Sequence, residues 1–168
     1  ATAAGLLGAA TVEFLVPLKP KKGLADFYFL EVNPRIQVEH PVTEMVTGVD
    51  LIELQIRIAR GDQLRLQQSD ITLKGAAIEA RILAEIPAQQ FRPSVGTIRA
   101  LEFPEKINNA EIRIEHALAT GLRIETFYES LLMKLVVAAR TPSLARQAML
   151  EALEQTSLHG VETNIAFL

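Results

Sequence analysis

The stretch Phe27-Tyr28-Phe29-Leu30-Glu31-Val32-Asn33-Pro34-Arg35-Ile36-Gln37-Val38-Glu39-His40 decides the fold of this chain. Aromatic and β-branched residues run from Phe27 to Val32, the composition of a strand. Successive strand side chains point to opposite faces, so the alternation predicts Glu31, Asn33 and Arg35 on one face, with Leu30 and Val32 packed into the other. Carboxylate and amide oxygens are hard ligands that hold magnesium or manganese against nucleotide phosphates, and a planar guanidinium grips a planar oxyanion at two points. The set points to metal-phosphate chemistry. The same spacing also describes a half-exposed strand with an ordinary polar face, and periodicity alone does not separate the two.

Upstream, Thr11 to Val16 is a second β-rich run, joined to the first by Pro17 to Asp26, a stretch with two prolines, three lysines and a glycine. The pattern predicts an antiparallel hairpin with a long tip, Lys19-Pro20-Lys21-Lys22 being solvated. Glu13 and Glu31 then lie on neighbouring strands, where side chains on one face sit about 5 Å apart. Two carboxylates that close repel unless a cation stands between them. The opening Ala1 to Val16 lacks a basic leader and contains Glu13, which argues against a signal peptide or membrane span, and it reads as a short Ala/Leu helix followed by a strand. The chain begins without methionine in what reads as the middle of an element, so a piece of a longer polypeptide is expected.

Downstream, Asp50 is placed to cap a helix to Arg60, in which Leu51, Leu54 and Ile58 form a core stripe and Gly61 follows the last turn. Gly61 to Lys74 reads as a connection. A second, mostly β unit follows: Ala76 to Leu83 alternates Ile78, Ala80 and Ile82 against Glu79 and Arg81. Phe91-Arg92-Pro93-Ser94-Val95-Gly96 is a turn. Strands are expected at Thr97–Leu101, Ile112–Glu115 and Leu131–Ala138, the last carrying Lys134. Thr141 and Pro142 start a helix with Leu144, Ala148 and Leu153 facing inward, and His159 to Leu168 reads as a turn into another helix. Arg81 by itself is an ordinary surface charge.

The 168 residues are 49% hydrophobic and 22% charged, enough for a sizeable core. A net charge of -3, with no basic run beyond Lys19 to Lys22, argues against nucleic-acid binding. With no cysteine there is no disulfide framework, thiolate metal site or thiol nucleophile, which fits a reducing, cytoplasmic setting. There is no glycine-rich phosphate loop with lysine, no nucleophile elbow and no zinc-spaced histidine pair; His40, His116 and His159 are isolated.

Glu31-Val-Asn-Pro-Arg-Ile-Gln-Val-Glu-His-Pro-Val-Thr-Glu-Met-Val-Thr-Gly-Val-Asp-Leu51 resembles the signature of the biotin carboxylase component of biotin-dependent carboxylases. Carbamoyl phosphate synthetases share the Glu-x-Asn-x-Arg core, but Gln37-Val38-Glu39-His40 speaks for biotin carboxylases. The resemblance covers nearly the whole chain and implies an α+β architecture: residues 1–73 as the C-terminal part of an ATP-grasp domain, and residues 74–168 as a mainly antiparallel β-sheet biotin carboxylase C-terminal domain with packed helices, cut short at its end. It implies that Glu13 and Glu31 hold magnesium or manganese on ATP, with Asn33 completing the second ion's shell. Arg35, Gln37 and Val38 match the bicarbonate-binding groups, Arg35 also being the active-site arginine, and Glu39 matches the general base, aligned by a neighbouring arginine. Arg81 matches the arginine that stabilises the biotin enolate. The implied reaction activates bicarbonate with ATP as carboxyphosphate and carboxylates biotin on a carrier domain, with a carboxyltransferase as further partner. A homodimeric, cytoplasmic or mitochondrial parent enzyme is expected.

The chain departs from that pattern at Ile86, where aspartate is usual, at Val95, at Glu129 in place of the aspartate of Tyr-Asp-Ser, and at Met133. The hairpin tip also reads as longer than usual. The family's glycine-rich lid and supporting lysines are absent from these residues, so the chain alone is expected to be inactive. A non-catalytic or degenerate fragment serving as an assembly module is the competing reading. Acetyl-CoA, propionyl-CoA, pyruvate and urea carboxylases share this module, and only Phe91-Arg-Pro-Ser leans toward the urea type.

Overall fold

The computed structural model describes residues 5–18 and 27–168. In chain order its elements begin with strands β1 (Thr11–Leu15) and β2 (Tyr28–Asn33) and helices α1 (His40–Thr47) and α2 (Leu51–Ala59). Strands β3 (Ala76–Leu83), β4 (Glu85–Ile86), β5 (Arg92–Pro93), β6 (Gly96–Thr97), β7 (Ala100–Glu102), β8 (Ala110–His116), β9 (Arg123–Ile124) and β10 (Leu131–Ala139) follow. Helix α3 (Pro142–Glu154) and strand β11 (Ser157–His159) complete the set. All strand pairs are antiparallel, giving the expected α+β class. The residues fall into two compact units, one reaching His40 and resuming from Gly48 to Ile71, the other built from Pro41–Thr47 and Thr72–Leu168.

The first unit holds the β1-β2 hairpin and α2. Asp50 caps α2 as its residue type dictates, its Oδ1 accepting from Glu53 N at 2.7 Å. The expected core stripe is only half covered: Leu51, Leu54 and Ile58 are half-buried, and no residue of the helix is buried. Gly5 to Ala10 form no helix, contrary to the expectation for the opening segment; Ala1 to Ala4 and the Lys19 to Lys22 tip lie outside the described residues.

In the second unit the sheet order is β3-β10-β8. Period-two alternation sends Ala80 and Ile82 of β3, Met133, Leu135 and Val137 of β10, and Ile112 and Ile114 of β8 into one core with Ala148, Met149, Ala152 and Leu153 of α3. Ile82, Leu135 and Val137 are fully buried, each stabilising the fold by about 1.5–3 kcal/mol relative to exposure. Helix α3 starts where its sequence says: Thr141 Oγ1 accepts from Leu144 N at 3.3 Å and Pro142 fills the first turn. Its buried set is Ala145, Ala148, Met149, Ala152 and Leu153, while the expected Leu144 is half-buried, because the stripe runs at i, i+3, i+4 and i+7 from Ala145.

The other face of this sheet is charged. The register sets Arg81, Lys134 and Glu115 in one cross-strand row and Glu79, Val136 and Arg113 in the next. Glu115 takes both Lys134 and Arg113, and Arg113 Nη1 reaches Glu44 Oε2 of α1 at 2.6 Å. Glu44 is only 7% exposed, so this pair and the Lys74 N to Val46 O bond at 2.8 Å dock the Pro41–Thr47 turns onto the unit. Backbone crowding changes two expectations. A side chain on Gly96 would collide with the carbonyl oxygen of Gly160, and one on Gly160 with that of Thr97. The expected strand Thr97–Leu101 is split into β6, paired with β9, and β7, paired with β11, with Ile98 fully buried between them. Of the helix expected after the turn at His159, a single 3-10 turn forms at Ile165–Phe167, and Ser157–His159 ahead of it is β11. Of the family departures, Val95 and Glu129 are exposed, Ile86 is half-buried opposite Arg92, and Met133 is core.

Burial alone would raise the Glu115 carboxyl, but the Lys134 ammonium and then the Arg113 guanidinium outweigh it and hold it below the ordinary 4.5. A carboxyl with a depressed folded value stabilises fully above the unfolded value and loses that contribution as pH falls through the folded one. Thermal melts are therefore expected to be flat from pH 7 down to about 5 and to drop below it as Glu115 is protonated. Glu115→Gln should cost about 1 kcal/mol at pH 7 and show a shallower acid limb, because a quarter-exposed pair is partly screened.

Candidate metal and anion site

The β1-β2 register pairs Glu13 with Glu31, Val12 with Val32 and Thr11 with Asn33, but then pairs Phe14 with Phe29, passing over Leu30. Leu30 is a β-bulge, and its consequence is one of phase. Strict alternation would put Phe27, Phe29, Glu31 and Asn33 on one face, mixing aromatic rings with carboxylates. The extra residue rotates the strand by one position. Phe14 then meets Phe27 and Phe29 edge-on, with centroids 5.3 and 6.2 Å apart, on the face opposite Glu13. Glu31 and Asn33 are left on the Glu13 face.

On that face Asn33 Nδ2 donates to Glu13 Oε1 at 2.9 Å and to Glu31 Oε1 at 3.0 Å. A single amide thus bridges two carboxylates that would otherwise repel. Gln37 Nε2 reaches the same Glu13 oxygen at 3.4 Å, and the Gln37 carbonyl accepts from His40 N at 3.3 Å and contacts His40 Nδ1 at 2.8 Å. Glu13, Glu31, Asn33 and Gln37 are therefore brought together. Arg35, like Gln37, lies beyond the end of β2. Strand β2 ends at Asn33, before Pro34, and the chain turns there with Arg35 N bonded to Asn33 O at 2.9 Å. The exposed Arg35 guanidinium bonds the Ile36 carbonyl at 3.1 Å. Val38, half-buried, and Glu39, exposed, form the turn before α1.

Arg81 belongs to the second unit. It projects from the charged face of β3 with its side chain 48% exposed, its Nε 3.7 Å from Glu79 Oε1, across from Lys134. Among the described residues no group of three or more His, Cys, Asp or Glu side chains is placed to hold a metal. The two carboxylates supply hard oxygen ligands side by side, with the Asn33 amide nitrogen between them, an incomplete shell suited to an ion whose other ligands come from phosphate and water. Reading the sequence missed the Leu30 bulge and the Glu44-Arg113-Glu115-Lys134 network. The legible signal for the latter was the alternation of Ile112 and Ile114 with Arg113 and Glu115.

Residues 79–168 match the biotin carboxylase C-terminal domain, and residues 1–67 match the carbamoyl-phosphate synthase L chain ATP-binding domain. The chain belongs to the biotin carboxylase family. It is 46% identical over 164 residues to the 2-oxoglutarate carboxylase small subunit of Hydrogenobacter thermophilus, covering 98% of this chain and 33% of the relative. It is 42% identical over 167 residues to biotin carboxylase 1 of Bacillus subtilis, covering 99% of this chain and 36% of that protein. The crystal structure of the H. thermophilus biotin carboxylase domain dimer, in complex with MgADP, ADP and bicarbonate, superimposes with a TM-score of 0.86 at 46% identity, over 94% of this chain and 33% of that one. The chain spans about a third of the length of these relatives.

Deleting Leu30 removes the extra residue and should leave a regular ladder in the same phase, Glu13 still opposite Glu31 and Phe14 still opposite Phe29. The expected outcome is that ring-proton contacts between Phe14 and Phe29 persist in nuclear Overhauser spectra, with amide shifts of Ile82, Leu135 and Val137 unchanged. Loss of the Phe14-Phe29 contacts would contradict the phase argument.

Proposed function

We propose that this chain is part of an ATP- and bicarbonate-dependent biotin carboxylase, in which Glu13, Glu31 and Asn33 face magnesium- or manganese-bound ATP. The observation that carries the reading is the register pair Glu13-Glu31, bridged by Asn33 and followed directly by the Arg35–Glu39 segment. When bound, the ion supplies charge neutralisation for the phosphate oxygens. Carboxylate is the ligand type it selects, and the amide between them keeps the pair together before it arrives. Arg35, with Gln37 and Val38, receives bicarbonate as a planar anion, and Glu39 takes its proton. Gln37 suits that place because its side chain is tied to Glu13 while its backbone is tied to His40. Arg81 supplies positive charge to the oxyanion that develops on biotin. We further assign residues 1–73 to the C-terminal part of an ATP-grasp domain and residues 74–168 to a biotin carboxylase C-terminal domain, with a biotinylated carrier domain and a carboxyltransferase as partners of the parent enzyme and a homodimer as its assembly.

The division between the two arginines tests the reading in a full-length carboxylase carrying this sequence. Arg35→Ala and Arg81→Ala are both expected to abolish biotin carboxylation. Arg81→Ala should keep bicarbonate-dependent ATP cleavage, whereas Arg35→Ala should lose that too, by about a hundred- to a thousand-fold, the usual effect of removing one donor to a developing oxyanion. Lysine at either position should restore little, since a point charge does not reproduce a two-point contact. Equal loss of both activities in the two variants would refute the assignment. Glu31→Gln should raise the magnesium concentration needed for ATP use while the melting temperature holds or rises, because a charged ligand is lost as carboxylate repulsion is relieved.

A further inference from the structure

One buried polar side chain has no place in the chemistry above. Asn164 is 5% exposed and lies far along the sequence from β3. Its Oδ1 accepts from Leu83 N at 2.8 Å, its Nδ2 donates to Arg81 O at 3.0 Å, and its own backbone N bonds Leu83 O at 3.2 Å. Strand β3 is paired with β10 along one edge, and among the described residues no strand pairs with the other. The main-chain groups of Arg81 and Leu83 that point away from β10 would be orphaned there, at the cost of an unsatisfied buried donor and acceptor. A carboxamide carries the same donor and acceptor as a peptide group, so Asn164 stands in for the missing strand.

The segment bearing Asn164 is itself fixed. Gly160, at φ +107°, lets its backbone lie against Thr97, Ser94 Oγ accepts from Glu162 N at 2.8 Å, and Val161 is 9% exposed among core residues. The clamp therefore joins a rigid segment to the peptide that carries Arg81. Between the two clamped groups sits Ile82, fully buried on the opposite face, so the strand at Arg81 is held from its edge and from below. The Arg81 side chain is nearly half exposed and rises from this clamped peptide, its Nε 3.7 Å from Glu79 Oε1 on the same face, so the guanidinium moves with the backbone that carries it.

From these contacts we infer that Asn164 is a positioning residue for Arg81, setting the guanidinium for the biotin half-reaction and leaving ATP cleavage untouched. The inference rests on the role proposed above for Arg81. Misplacing a reacting group by about 1 Å costs about a hundredfold in rate, so loosening this peptide is enough to be measured.

The test uses a full-length carboxylase carrying this sequence. Asn164→Asp keeps the shape and the acceptor for Leu83 N but sets an oxygen against the Arg81 carbonyl. Biotin carboxylation is expected to fall about a hundredfold while biotin-independent, bicarbonate-dependent ATP cleavage stays within about twofold. Adding Asn164→Asp to Arg81→Ala should cost nothing more, because the two act through one group. Equal loss of both activities, or full additivity in the double variant, would overturn the inference in favour of a purely structural role. Hydrogen exchange at the Leu83 amide reads the clamp independently of activity: protected in the wild type, and open in Asn164→Ala while Leu135 stays protected. An unprotected Leu83 amide in the wild type would overturn the clamp itself. A wild-type enzyme that carboxylates no biotin would overturn the Arg81 role, and the purpose assigned to Asn164 with it, even if the amide is protected.

Discussion

Strand β10 is hydrogen-bonded along both edges, and the second unit depends on that constraint. A strand with two neighbours has no free edge, so its side chains can be sorted only by face. Leu135 and Val137 go to the helix side and Lys134 to the charged side, while Val136 is fully buried beneath the charges. Each flanking strand inherits its phase from this one, and so does every cross-strand row. Arg81 stands opposite Lys134, and Lys134 opposite Glu115, because the register leaves no alternative that keeps Ile82 and Ile114 inside. Like charges at Arg81 and Lys134 are tolerable because carboxylates from both neighbouring strands alternate with them.

The long strands and α3 were legible because one rule decides each of them: period two for Ala76 to Leu83 and for Ile112 to Glu115, a cap and proline for the helix. The places where the sequence misled are those where a second rule competes. At Leu30 a composition that is plainly β conceals the bulge, since an inserted residue changes phase without changing propensity. At Thr97 to Leu101 a β-rich run is divided by the approach of another backbone at Gly160, which no local pattern announces. The helix expected after His159 is reduced to one 3-10 turn at Ile165–Phe167 because the segment before it bonds outward, Glu162 N to Ser94 Oγ and Asn164 N to Leu83 O, tertiary contacts that override local preference.

The site was legible in a different way. Residue types and spacing named the carboxylates and the amide, and the antiparallel reading set Glu13 beside Glu31. What spacing did not reveal is that the strand ends at Asn33, before Pro34, so that the carboxylate pair and Arg35 belong to two local geometries, one held by the ladder and one by a turn. Asn33 is the joint between them: its side chain serves the carboxylates and its carbonyl closes the turn to Arg35.

The hairpin presents apolar side chains on both faces: Phe14, Phe27, Phe29, Tyr28 and Leu30 are all roughly half exposed or more. A two-stranded ribbon of this kind is at best marginally stable in water by itself. Phe27-Tyr28-Phe29-Leu30 carries no charge and no proline, and among the described residues no third strand pairs with either edge of the ribbon. Those are the attributes of a segment that recruits copies of itself into intermolecular β-structure. Handled as a 168-residue polypeptide, the molecule carries its colloidal weak point in the same ribbon that presents its carboxylates, so refolding yield will fall with protein concentration and charge introduced at Tyr28 will relieve it.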